Sequence, residues 1–188
     1  MKRYTILVLI FITFHILFAG ELYDFAYNFL LKQKVPENHA ALMAKVLVEE
    51  EKIIPKSVDP LYMLAFGLTE TGFSNVFGDY GKAVGYFQIH ESAVFYVANF
   101  YEDVREFKKK VRNHSDLINY PDWQLRIAYR YMYLSLRYMF NWDLTRAISA
   151  YNGRRDKYNE YTIKFFEYYT HIIKEYMIFQ NSNQKTKQ

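Results

Sequence analysis

Glu70 is the residue of this chain whose chemistry conflicts most with its surroundings. It lies at the end of the segment DPLYMLAFGLTET, and the run from Leu61 to Leu68 is apolar nearly all round. Such a helix is buried on every side rather than laid on a surface. Asp59 suits an N-cap and Pro60 a first helical position. Gly72 suits the left-handed residue that closes a helix, with Phe73 placed to fold back on Leu68. Glu70 then falls in the last turn of a buried helix, where the helix dipole and desolvation both disfavour a carboxylate. Both raise its pKa, which a general acid working near neutral pH requires. The competing reading is that Glu70 simply points into solvent at a helix end.

The residues after Glu70 narrow the choice. Phe73 follows at three residues, and a closing segment reads Lys82-Ala83-Val84-Gly85-Tyr86-Phe87-Gln88-Ile89. Far downstream stands Ala147-Ile148-Ser149-Ala150-Tyr151-Asn152-Gly153. Together these resemble the catalytic core of the soluble type of lytic transglycosylases and of goose-type lysozymes. That family pattern has a helix ending in Glu-Ser, a Phe three residues on, a turn closing in Gly-Ala-x-Gly-Leu-Met-Gln, and a later Ala-x-x-Ala-Tyr-Asn block. The interval from Glu70 to Gln88 matches without a gap, and the resemblance spans Ala40 to Tyr169. Thr71 replaces the usual Ser, its hydroxyl still able to bond the carboxylate. Asp79 stands where many transglycosylases carry Ser, and Gly153 comes one residue early, followed by Arg154 and Arg155.

The resemblance implies a lysozyme-like fold, mainly α, with a small irregular or β-hairpin segment at the cleft. It implies cleavage of the bond between N-acetylmuramic acid and N-acetylglucosamine in peptidoglycan. Glu70 would protonate the glycosidic oxygen. The substrate's acetamido group would assist departure, and Glu70 would then act as base to close a 1,6-anhydro ring, so that one carboxylate suffices. Thr71, Gln88 and the backbone around Tyr86 would border the substrate, while Tyr151 and Asn152 would orient Glu70 or the acetamido group. The segment Gly78-Asp79-Tyr80-Gly81 is also similar to goose-type lysozymes, in which an Asp at this interval helps hold a water. On that reading Glu70 and Asp79 form a hydrolytic pair. As a bare sequence, Gly-Asp-x-Gly is also ordinary turn chemistry. A third reading makes the chain a non-catalytic wall-binding component of an envelope apparatus.

The elements that must position these residues follow from periodicity. Helical spacing runs over residues 22–33 and 37–52, with Glu49-Glu50-Glu51 read as a solvated end. Pro55 breaks the pattern before the central helix. Ser74 to Gly85 reads as a loop or small hairpin. Further helices are expected at 91–101, 102–112, 121–140, 144–152 and 157–178. Pro121 stands at a helix start and Asp143 at an N-cap. No repeat or linker divides the chain, so residues 21–179 read as one catalytic domain and 180–188 as a disordered polar tail.

Residues 1–20, MKRYTILVLIFITFHILFAG, carry Lys2 and Arg3 before an apolar run and read as a signal peptide or N-terminal anchor. This predicts export to the periplasm or anchoring on the inner membrane facing it. The chain has no cysteine, so no disulfide or lipidated cysteine is possible. It is formally +4, but beyond the leader 22 basic residues face 20 acidic ones, too even a balance for nucleic-acid binding. Lys108, Lys109, Lys110 and Arg112 read as a solvated helix face. Among 188 residues the 19 Tyr and 16 Phe point first to aromatic core packing, and a few to a sugar-binding groove. The histidines show no metal-ligand spacing, so no metal or cofactor is expected. The expected partner is the peptidoglycan glycan strand, and any secretion-system partner is left unnamed.

Overall fold

The computed structural model describes residues 20–55 and 58–186, so the segment read as a signal peptide or anchor lies, Gly20 apart, outside the described residues, as does the question of its cleavage. The chain is mainly helical with a small three-stranded antiparallel sheet, compatible with a lysozyme-like helical domain. Helix α1 is described over residues 20–32. It is followed by α2 (Glu37–Ile53), α3 (Leu61–Thr71), α4 (Glu91–Ala98), α5 (Glu102–Lys110), α6 (Pro121–Leu134), α7 (Leu144–Tyr151) and α8 (Glu160–Thr186). A 3-10 turn at His114–Asn119 precedes α6, and a π turn at Ser135–Met139 follows it. No described helix is long and apolar enough to cross a membrane.

The central helix α3 is buried from Leu61 to Thr69 apart from Tyr62, as its apolar circumference requires. Asp59 caps it in fact: its Oδ1 accepts the Leu61 N–H at 2.8 Å, while its Oδ2 accepts the Tyr169 hydroxyl at 2.7 Å. The helix closes at Gly72 in the left-handed conformation, and Phe73 N–H returns to Gly67 O at 3.1 Å. The Phe73 ring lies over Gly67. A Cβ at Gly67 would stand 2.3 Å from that ring, so a glycine in mid-helix, ordinarily unfavourable, is what admits it. Helix α8 packs along α3, with Phe66 and Phe165 at 4.6 Å and Tyr62 and Tyr169 at 4.7 Å between ring centres.

Helix α2 packs on α6 around a buried charge cluster. Glu50, read from sequence as part of a solvated end, is fully buried. Its carboxylate accepts from Arg126 Nη1 at 2.5 Å, Arg130 Nε at 2.7 Å and Arg130 Nη2 at 2.9 Å. Arg130 also bonds Asp103 of α5 at 2.6 Å, and Arg126 bonds Glu49 at 2.7 Å. The helical period turns Glu50 inward because it sits one turn beyond Val46 and Leu47 on the core face.

The loop after α3 folds into strands β1 (Phe77–Gly78), β2 (Ala83–Val84) and β3 (Ile89–His90), in the order β1-β2-β3. Phe77 faces Val84 and Gly78 faces Ala83; Ala83 then faces His90 and Val84 faces Ile89. At the tip between β1 and β2, Asp79, Tyr80 and Gly81 all take positive φ, of 47°, 54° and 88°. Two of these three residues are not glycine, which marks a backbone held by its surroundings. Helix α8 continues through most of the tail that was expected to be disordered. No Gly or Pro interrupts the chain from Glu160 onward, so nothing local stops the helix.

Candidate active site

Glu70 lies in the last turn of α3, and the chain around it opens into a cleft of about 600 Å³. One wall is the small sheet, with Asp79, Ala83, Gln88 and His90; the other is formed by α6 and α7, with Ala128, Tyr131, Tyr151 and Asn152. Residues that sequence assigned to chemistry on separate segments therefore meet at one surface.

The carboxyl of Glu70 is partly buried, and its pKa is pushed up to about 7. Burial is the dominant cause, because a charge is poorly solvated there. A hydrogen bond from the Tyr161 hydroxyl to Oε1 and the positive charge of Lys164 oppose it without cancelling it. Lys164 Nζ also donates to Thr69 O at 3.1 Å, so a cation occupies the negative end of α3. Burial and the nearby Glu70 charge hold the phenols of Tyr161 and Tyr151 well above the usual range, so both remain donors at neutral pH.

The segment Gly85 to Gln88 is fixed against this centre. Gly85 has φ 80°, and a Cβ there would lie 2.0 Å from Oε1 of the buried Gln124. That oxygen accepts the Tyr86 N–H at 2.8 Å, while Gln124 Nε2 donates to Leu117 O at 2.9 Å. Only glycine supplies both the left-handed backbone and the room. The hydroxyl of Thr71 donates to Tyr86 O at 2.9 Å and does not bond Glu70, as had been expected of it. Thr71 points away from its neighbour because consecutive helical side chains diverge, so it acts as a strut between α3 and the closing segment.

Tyr86 was expected to border the substrate through its backbone, and its side chain lies elsewhere. Its side chain is buried, pairs with His39 Nδ1 at 2.9 Å and takes no part in the cleft wall. Gln88 does line the cleft, with φ 47° and Nε2 donating to Gly85 O at 2.9 Å and Val76 O at 3.1 Å. Tyr151 lines it too, but its hydroxyl donates to Phe87 O at 2.9 Å and its ring packs on Phe66 at 4.4 Å. Asn152 is exposed at the rim, its Oδ1 3.4 Å from Arg154 Nε. The side chain that hydrogen-bonds Glu70 is Tyr161, while the Tyr151 hydroxyl and Asn152 Oδ1 meet Phe87 O and Arg154. Asp79 stands half-exposed in the same wall, with Oδ2 3.8 Å from His90 Nε2.

Sequence reading missed Tyr161, Lys164 and Gln124. The Asn159-x-x-Thr162 pair was a usable signal, since Thr162 N–H bonds Asn159 Oδ1 and Asn159 N–H bonds Thr162 Oγ1, both at 3.0 Å. It starts α8 beyond Asn159 and sets Tyr161 in the first turn. Among the described residues no group of three or more His, Asp or Glu side chains could hold a metal ion. No protein-family model matches the chain, and no curated protein matches it.

Proposed function

We propose that this chain cleaves the bond between N-acetylmuramic acid and N-acetylglucosamine in peptidoglycan as a lytic transglycosylase, with Glu70 as its single acid and base. The observation that carries this reading is a carboxyl with a pKa of about 7 at the wall of a cleft, held by a tyrosine that cannot itself ionise at neutral pH. Near neutrality such a group exists in both protonation states, which a residue that first gives and then takes a proton needs. The convergence of Gln88, Tyr151 and Asn152 on the same cleft adds the family resemblance to that chemistry.

In the proposed reaction Tyr161 occupies Oε1, and the acid proton is delivered from Oε2 to the glycosidic oxygen. The bond to the anomeric carbon breaks as the acetamido oxygen of the same sugar bonds that carbon. The leaving sugar departs with the proton. The carboxylate then removes the proton of the C6 hydroxyl, whose oxygen displaces the acetamido oxygen and closes the 1,6-anhydro ring. Glu70 ends protonated, as it began. We propose further that residues 1–20, read as a signal peptide or anchor, carry this activity outside the cytoplasm.

A second reading follows from Asp79, which shares the cleft with Glu70. There Asp79 would hold a water, and the products would be reducing ends. Mass analysis of sugar ends from purified peptidoglycan separates the two, since an anhydro end is lighter than a reducing end by one water.

A further inference from the structure

Five aromatic rings form an unbroken line from the cleft to an exposed face. Tyr151 and Tyr131 line the cleft, with ring centres 5.8 Å apart. Tyr131 meets Tyr96 at 6.0 Å, Tyr96 meets Phe100 at 5.4 Å, and Phe100 stacks on Tyr138 at 5.3 Å with 21° between the planes. The line ends in water, where Phe100 is 48% and Tyr138 54% exposed.

Helical spacing explains the alignment. Ser92 and Ala93 of α4 line the cleft, Tyr96 follows Ser92 one turn on, and Phe100 stands in the turn just past the helix end, its N–H bonding Val97 O at 3.0 Å. On the opposite side Ala128 and Tyr131 of α6 line the cleft, and Tyr138 lies in the π turn beyond. In that turn Phe140 N–H bonds Ser135 O at 3.0 Å, and the wider backbone carries Arg137, Tyr138 and Met139 outward. Such turns interrupt helices frequently at functional positions. Arg137 donates to the Tyr133 hydroxyl at 2.5 Å and lies 5.0 Å from the Tyr138 ring centre, fixing the turn and adding donors at the end of the line.

We propose that Tyr96, Phe100 and Tyr138 form a second sugar-binding stretch that continues the cleft and takes units of the same glycan strand remote from the cleaved bond. This rests on the reading of the cleft as a glycan site. A strand longer than the cleft must leave by one of its ends, and this end is paved with rings and a guanidinium. Aromatic faces offer flat apolar platforms to the C–H faces of hexoses while their edges and Arg137 leave the sugar hydroxyls solvated or bonded. The rings are continuous with the cleft rather than set apart from it, which favours one polymeric occupant over a separate protein or lipid.

The test compares the full chain with the Phe100→Ala/Tyr138→Ala double variant. Two quantities are read: the ratio of kcat/KM on long peptidoglycan strands to that on a short soluble oligosaccharide of the same sugars, and co-sedimentation of the Glu70→Gln forms with purified peptidoglycan. The double variant is expected to lower the ratio about tenfold and to weaken co-sedimentation about as much, the size that loss of one or two aromatic platforms gives. Tyr138→Phe, which keeps the ring, is expected to hold both values. An unchanged ratio with unchanged co-sedimentation overturns the inference. So does a double variant that loses self-association or vesicle binding while keeping its glycan affinity. If the parent chain cleaves neither substrate, the proposed reaction fails, and co-sedimentation still decides the ring stretch.

Discussion

Tyr161 donates its hydroxyl to Glu70, joining the first turn of α8 to the last turn of α3 across 91 residues of sequence. This bond lowers the pKa of Glu70 against the larger upward push of burial, and the balance falls at about 7. Tyr161→Phe removes the donor and keeps the ring. The acid should then hold its proton more tightly, so the pH profile of peptidoglycan cleavage should move upward. Turnover at neutral pH should fall about tenfold, in keeping with the roughly 1.5–3 kcal/mol of a hydrogen bond to a charged group. A profile that stays in place would show that Tyr161 does not act on Glu70.

Glu70→Gln should abolish cleavage and raise stability in alkaline solution. The folded pKa of about 7 lies above the ordinary 4.5, so between these values the folded chain keeps a proton that the unfolded chain has released. The contribution of Glu70 to stability is full below the lower value and is lost as pH rises through the upper one. Gln does not titrate. Urea unfolding should give nearly equal stabilities at pH 4, and at pH 8 should favour the variant by about 1–3 kcal/mol. An advantage of the same size at both pH values would contradict the assigned pKa.

Much of the fold was legible because its signals are local. Asp59, Pro121 and Asp143 start helices where their backbone preferences place them, and Asp143 Oδ1 accepts Arg146 N–H at 3.2 Å. Glu70 was legible because the conflict between a carboxyl and an apolar helix end is itself local. The partner of the Thr71 hydroxyl was not legible, because it depends on how the closing segment docks on α3, where Tyr86 O accepts it. Tyr161 and Glu50 were illegible for the same reason at longer range: their partners come from other helices. Asn152, inside the Ala-x-x-Ala-Tyr-Asn block, shares the cleft with Glu70 but is exposed at its rim, with Arg154 as its side-chain partner.

Glu50 supplies a prediction about folding rather than chemistry. Glu50→Ala leaves Arg126 and Arg130 buried without their shared carboxylate, and should cost about 3–5 kcal/mol of unfolding free energy. Glu51→Ala, one residue on and outside the cluster, should change stability by less than about 0.5 kcal/mol. Equal losses in the two variants, measured by chemical denaturation, would mean that the cluster does not hold α2 to α6.

The sugar ends released from purified peptidoglycan by the full chain test the central claim most directly. Mass analysis should show 1,6-anhydro ends, retained in Asp79→Asn and absent in Glu70→Gln. Reducing ends formed with uptake of water, and lost in Asp79→Asn, would contradict the single-carboxylate account and assign the reaction to Glu70 and Asp79 together.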